Sequence, residues 1–459
     1  MRLKSETSFG LILACVALAV LTVDLALFWG WHGGWVNTDT FMQWDQVQTG
    51  VYTNWHPFMH TFLMMKVPSL IMNNYCVAVL WQIILFSGIF GYVGVMCLRC
   101  GFTKKATAIV ATCVLLHPQT LFFLMTPLKD TAFAIAVLLA MAALVRIYHS
   151  QGAAIGERSV WVPLAVGLVL AALFRHNGIF FSGMAVLLLL VLYVRRWTRY
   201  VLVCVTAVML LYGGCRWGLG CLLHVQPASK YEKQYAFVEA AGLPLTLMGS
   251  VYVRHPDEVD DDARRVLDSI RPREVWLERY QDGSFNVVKY AGIGTQYSDK
   301  VLASVPFDGW GKFAGICWRT LSLDPAAAMR AFVCLTDQVW SPLGGVRADS
   351  LLFPLQKIGI RENLTVWLRM LQVVAIPLLG VCACVTWCLV ATFFWAVWRR
   401  KWDVLLLALP VLSYNFGTMC FLSGFNMMRL FFFNVLVAGL LSLCWRTRKR
   451  LPRTTENMV

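Results

Sequence analysis

The sequence predicts an all-α polytopic membrane protein of about ten transmembrane helices with one extracytoplasmic, mainly helical domain. Three observations predict it. Of 459 residues, 58% are hydrophobic and only 14% charged, whereas a soluble domain carries roughly 25% charged residues. The apolar residues gather into ten runs. The basic residues fall between those runs, mostly on alternate sides. Together these exclude a soluble enzyme, a disordered tail and a fibrous protein.

A membrane span needs about 20 largely apolar residues. The runs are Phe9–Trp31, Tyr75–Leu98, Ala106–Phe123, Thr131–Tyr148, Val160–Phe174, Gly178–Val194, Tyr200–Cys221, Leu364–Ala391, Val404–Leu422 and Leu430–Trp445. The first follows Arg2 and Lys4 as a signal peptide would. It exceeds the length of a signal sequence and lacks a small-x-small site after it, so it reads as an uncleaved anchor. The fifth is short, with Pro163 near its start. These runs divide the chain into a membrane module over 1–221, an outer domain over 222–363 and a second membrane module over 364–459.

The outer stretch holds seventeen acids and sixteen bases. The net charge of +15 therefore belongs entirely to the membrane part. A nucleic-acid binder would gather that charge on a soluble face, so no nucleic-acid partner is expected. Of the 24 bases outside the outer stretch, 18 fall on the side that receives Arg99, Arg146, Arg195, Arg399 and Arg446. That side is cytoplasmic by the positive-inside rule. Both termini are then cytoplasmic, the 142-residue insert faces outward, and the expected location is the plasma membrane.

Cysteines are mostly inside spans, where they act as small hydrophobes. The Cys97-Leu98-Arg99-Cys100 spacing has no second pair and reads as packing rather than a metal or redox motif. Cys317 and Cys334 lie in the outer domain and could pair in an oxidising compartment.

Polar groups beside a membrane are costly, and the outer loops hold most of them. The first, His32 to Asn74, contains Asp39 and Asp45 as its only acids. They could be a base and its helper, or metal ligands for a divalent cation such as Mg or Mn. Alternatively, Asp39 caps a helix that starts at Thr40 and Asp45 is merely solvated. His56 and His60 are spaced i,i+4 after Pro57, so they share a helix face. They could bind a metal or a phosphate, or satisfy local polar groups. The stretch after Pro57 reads as an interfacial helix broken at Pro68.

The second outer loop ends in Pro127-Leu128-Lys129-Asp130. Asp130 suits a helix N-terminus, but the positive end of the macrodipole repels Lys129. A cation kept there implies an anionic partner, either Asp130 or a ligand phosphate. The third loop is only Arg175-His176-Asn177, so Arg175 sits at the headgroup plane. There it either snorkels or forks a phosphate. Arg429 has the same placement in the last outer turn. The outer domain offers aromatics such as Trp276, Tyr280, Trp310 and Trp318, either as core or as sugar-stacking rings. A helix is expected over Asp260–Ile270 and turns at Gln281-Asp282-Gly283-Ser284 and Ser341-Pro342-Leu343-Gly344-Gly345.

The order and sidedness of Asp39, His56-Pro57, Lys129-Asp130 and Arg175-His176-Asn177-Gly178 resemble the C-type integral membrane glycosyltransferases, the GT-C fold. The resemblance covers roughly the first seven spans. It implies a polyprenyl-phosphate sugar donor and transfer, with inversion, to a glycan, lipid or protein acceptor of the cell envelope. It also implies an acid of the first loop as base or metal-associated group, and outer basic residues on the donor phosphate. Many members carry adjacent acids in that loop, whereas Asp39 and Asp45 are separated here, so both stand as catalytic candidates. Lys129, Arg175, His56, His60 and Arg429 stand as phosphate-binding candidates. The rival readings are a transporter or flippase of a lipid-linked glycan, and a non-catalytic envelope-assembly protein. Asp24 is the only acid well inside a span, which speaks against transport.

Overall fold

The computed structural model describes residues 2–26, 38–227, 238–284, 288, 309–341, 380–421 and 428–446. The expected start of the first outer loop through Asn37, the rings Tyr231, Tyr235, Tyr290 and Tyr297, Arg369, the beginning of the eighth span, most of the turn after Ser341 and the segment Ser423–Asn426 lie outside them. Among the described residues the regular structure is helical, and the chain divides into two compact units. One comprises 1–226, 346–414 and 429–459; the other comprises 227–345 and 415–428.

In the first unit, α1 (Arg2–Asp24) and α3 (Cys76–Arg99) pack side by side; α2 (Thr38–Thr49) lies between them in the chain. Glycines allow the close approach of α1 and α3, since a Cβ on Gly91 would lie 2.6 Å from the Gly10 carbonyl oxygen. Such small-residue contacts replace the hydrophobic effect where lipid is the solvent. The expected third span is instead a bent pair, α4 (Lys104–Leu115) and α5 (Pro118–Leu124), turned by 61°. The bend has a local cause. Pro118 starts α5, and His117 caps it by accepting from the Gln119 N–H at 3.2 Å.

The most buried helix is α6 (Lys129–His149). It packs on α7 (Arg158–Phe174), which in turn packs on α8 (Gly178–Gly213). The sixth and seventh runs form one helical path over Gly178–Leu222, 45 residues long. At about 1.5 Å per residue it is far longer than one membrane thickness. It breaks at Trp197, which has non-helical φ/ψ amid Arg195, Arg196 and Arg199.

The second unit is built from α9 (Gly242–Arg254), α10 (Asp261–Ile270), α11 (Arg273–Arg279), α12 (Trp310–Leu323) and α13 (Pro325–Trp340). The helix expected from Asp260 forms, with Asp260 as its N-cap accepting from the Ala263 N–H at 2.7 Å. The core centres on Trp276, which is fully buried and donates to the Leu267 carbonyl at 2.9 Å. Trp276 and Tyr280 are thus packing groups, while Trp310 and Trp318 are exposed. The expected turn at Gln281–Ser284 is present, with Gly283 at φ 83°. Cys317 and Cys334 are not joined in a disulfide, and Cys317 packs on the Met248 sulfur at 3.3 Å.

The described residues after 380 form α14 (Val381–Trp398), α15 (Leu405–Met419), a short turn of helix at Met428–Phe431 and α16 (Phe433–Arg446). In the first unit α16 packs on α6, α4 and α14. Five described helices are long and apolar enough to cross a membrane, or six if the bent pair is one span. The helix over 158–174 and the one over 429–444 are apolar but shorter. This is a helical membrane protein.

Candidate functional site

The ends of α6 and α7 carry two separate polar clusters. At one end, Arg146 pairs with Glu157 at 3.0 Å, and Arg99 lies 3.8 Å from Glu6 and donates to Ser159 at 2.9 Å. These groups tie α1, α3, α6 and α7 together at that end. The opposite end gathers the residues that the sequence analysis assigns to outer loops.

Asp39 sits in the first turn of α2. Its Oδ2 lies 3.3 Å from Lys129 Nζ and 3.1 Å from Arg429 Nη1. Asp130, one residue past Lys129 and 1% exposed at its side chain, pairs with Arg175 and lies 3.6 Å from Arg429 Nε. Arg429 therefore bridges the two carboxylates. Three cations against two carboxylates leave one net positive charge. Burial acts to raise the Asp39 carboxyl, but Lys129 and then Arg429 outweigh it and hold it well below the usual carboxylate range.

Lys129 also donates to His56 Nδ1 at 2.8 Å. An ammonium has no lone pair to accept with, so His56 accepts at Nδ1 and carries its hydrogen on Nε2. That Nε2 is buried and has no hydrogen-bond partner among the described residues. Burial first, and then the charge of Lys129, push His56 down to about 3. His56 is a neutral donor here.

His60 is fully buried one turn further on, with its ring edge-to-face against Phe174. It faces not the cations but Gln43, whose Nε2 donates to His60 Nδ1 and to Thr61 Oγ1, both at 2.9 Å. Gln43 follows Asp39 by four residues, so both project from one side of α2. The amide thus bolts α2 to the segment behind it and sets the angle at which Asp39 meets the cations. Burial and then Lys129 push His60 down to about 3 as well.

The helix after Pro57 ends within a residue of the expected break at Pro68. The helical segment runs from Phe58 through a π-turn over Thr61–Lys66 and ends after Pro68 with Val67–Ser69. The wider π-turn absorbs the hydrogen bond that Pro68 cannot donate. The loop before Lys129 is also pinned. Gln82, buried in the second turn of α3, donates at 3.0 Å to the carbonyls of both Leu124 and Thr126. Thr131 Oγ1 donates to the Phe123 carbonyl at 3.0 Å. On the far side, Tyr414 donates to the Leu430 carbonyl at 3.2 Å, beside Arg429.

The structure brings together Asp39, Lys129, Arg175, Arg429 and His56. It does not bring Asp45, which is exposed and forms no ion pair with a described residue. Asp39 is no simple N-cap either, because the helix begins before it and its carboxylate faces the cations. Lys129 faces Asp39 and His56 rather than Asp130. Arg175 is engaged by Asp130 and is the least accessible of the three cations, with 11% of its side chain exposed against 17% for Lys129 and 22% for Arg429. Gln43 and Gln82 are site-building residues that the sequence did not single out, while Asp130 was marked as a helix-start acid and possible partner of Lys129 but not as the buried partner of Arg175. For Gln43 and Gln82 the signal was there: an amide spaced i+4 from the key acid, and an amide inside an apolar run.

Among the described residues, no group of three or more His, Cys, Asp or Glu is placed to hold a metal ion. Asp39 and Asp130 are matched by cations, so this arrangement does not fit a divalent ion, and no chemistry is routed through one.

Residues 16–336 match DUF6020, described as a family of unknown function. The chain belongs to that family. No curated protein and no solved structure matches it.

Proposed function

We propose that this protein is a membrane glycosyltransferase with a GT-C-like arrangement of about ten spans. It moves a sugar from a polyprenyl-phosphate donor to a cell-envelope acceptor on the extracytoplasmic face. The observation that carries the reading is the meeting of Asp39 with Lys129 and Arg429, backed by Arg175 and Asp130, where α6 begins and α7 ends. A lipid-linked donor keeps its chain in the bilayer and its phosphosugar at the headgroup plane. Its enzyme needs cations at that plane and a carboxylate beside them.

In this reaction Asp39 takes the proton of the acceptor hydroxyl. The acceptor oxygen bonds to the anomeric carbon while the bond from that carbon to the phosphate oxygen breaks, its electron pair leaving with the phosphate. Lys129 and Arg429 stabilise that oxygen as charge develops on it. Attack and departure on opposite faces of the carbon invert its configuration.

The test is complementation. In cells lacking this protein, the wild-type chain restores the missing envelope glycan. Asp39→Asn, inserted and folded like wild type, does not. Full glycan product from Asp39→Asn removes the carboxylate from the chemistry and the reading with it.

A further inference from the structure

The reading of this site as phosphate-handling leaves a conflict of placement. In a single displacement the base and the leaving oxygen lie on opposite faces of the anomeric carbon. In the structure one Asp39 oxygen, Oδ2, contacts both Lys129 Nζ and Arg429 Nη1, at 3.3 and 3.1 Å. A phosphate oxygen bridging two cations would occupy that same position. Base and leaving group cannot both stand there.

We propose that Asp39 is a resident counter-ion, which an incoming phosphate oxyanion displaces from Lys129 and Arg429, so that the base is set free only once the donor phosphate is seated. The proposal rests on the phosphate-handling reading of the site. One further observation supports it: the three cations exceed the two carboxylates by one charge. A phosphodiester carries one negative charge, so it neutralises the cluster when Asp39 remains ionised nearby.

The movement needed is small. Gln43, Thr61 and His60 fix the turn of α2 that follows Asp39. Release is therefore a side-chain rotation of Asp39, without movement of the helix. It has a chemical consequence. While paired, the carboxylate is a weak base because two cations stabilise its charge. Once the phosphate takes those cations, its proton affinity rises. The device delays activation of the acceptor hydroxyl, or of water, until the donor is in place.

The experiment is anion binding by the full chain in nanodiscs of a zwitterionic phosphatidylcholine, by titration calorimetry at constant ionic strength. The two probes are inorganic phosphate and hexadecyl methyl phosphate, a lipid-anchored phosphodiester. Asp39→Asn removes the internal competitor and is expected to tighten binding at least tenfold. Asp39→Ser reads the same effect should the amide disturb the fold. Asp39→Glu keeps the charge and stays within about threefold of wild type. Asp45→Asn removes an equal charge in solvent and stays within twofold. Lys129→Met weakens binding at least tenfold.

Tightening for both probes means that the site takes any phosphate; tightening for the diester alone means that it takes headgroup phosphate. Either supports displacement. Unchanged or weaker binding by the neutral Asp39 variants overturns it, as does failure of wild type and both variants to bind either anion. A gain in affinity without sugar transfer by wild type would reject the glycosyltransferase reading and leave displacement standing. Loss of transfer in Asp39→Asn without a gain in affinity would do the reverse.

Discussion

Asp130 is the group whose removal the structure makes most costly. Its side chain is 1% exposed, and it holds Arg175, itself only 11% exposed, while lying 3.6 Å from Arg429 Nε. Asp130→Asn keeps the shape and removes the charge. Arg429 still has Asp39 at 3.1 Å, so the loss falls mainly on Arg175. Removing one partner of a buried pair costs about 3–5 kcal/mol, because the other charge is left uncompensated. Loss of an acid from the first turn of α6 adds about 0.3–1 kcal/mol. The Asn oxygen can still accept one hydrogen bond, which offsets part of this, so a net loss of about 3 kcal/mol is expected. For a chain of 459 residues that corresponds to an apparent melting midpoint lowered by roughly 3 °C.

Tryptophan fluorescence on heating, in one fixed detergent, reads the midpoint. Asp130→Asn combined with Arg175→Met removes both charges and leaves an apolar chain of similar length. Replacing a whole buried pair is often neutral, so the double variant should recover at least half of the single variant's loss. A single variant melting within 1 °C of wild type would refute the counter-ion role. So would a double variant whose cost is the plain sum of the two, since groups in contact do not add.

Two other predictions read the surroundings of the cluster. His56 and His60 are pushed down from 6.5 to about 3 by burial and then by Lys129. The stability tied to their neutral forms is fully present above 6.5 and is lost as pH falls from 6.5 toward 3, by up to about 5 kcal/mol for each histidine. Asp39 is shifted the same way but from the carboxylate range, so its contribution is lost only at lower pH, and between pH 6.5 and 4 the histidines set the slope. Melting midpoints of His60→Gln across that interval should fall less steeply than those of wild type; an equal slope removes His60 from the account. Gln43→Leu leaves the His60 Nδ1 without its donor and should cost about 1–3 kcal/mol. The exposed Gln48→Leu, which loses only its contacts to Asn73, should stay within about 0.5 kcal/mol. Equal melting losses for the two variants would show that the buried amide network holds nothing in place.

What the sequence revealed about this site followed from where a residue broke a local rule. Lys129 at a helix N-terminus contradicts the macrodipole, and the contradiction marked it before any fold was known. Its partner was not legible, because Asp39 is ninety residues away and only the packing of α2 against the start of α6 brings them together. Asp130 obeys the rule for helix starts so well that nothing distinguished a surface acid from a buried counter-ion. Arg175 and Arg429 were visible as cations at the membrane edge, but their order was not. Which guanidinium reaches Asp39 and which is engaged by Asp130 depends on the extended backbone of Arg175 at the end of α7, and on Tyr414 holding Leu430. The same limit explains the bent pair at His117 and the π-turn before Pro68. Hydropathy measures how apolar a run is, whereas a bend depends on whether capping groups such as His117, Gln82 and Thr131 can satisfy the backbone it frees. Those groups come from three helices. A neutral amide inside an apolar run, as at Gln82, is therefore a stronger pointer to irregular backbone nearby than the apolar run is to a straight span.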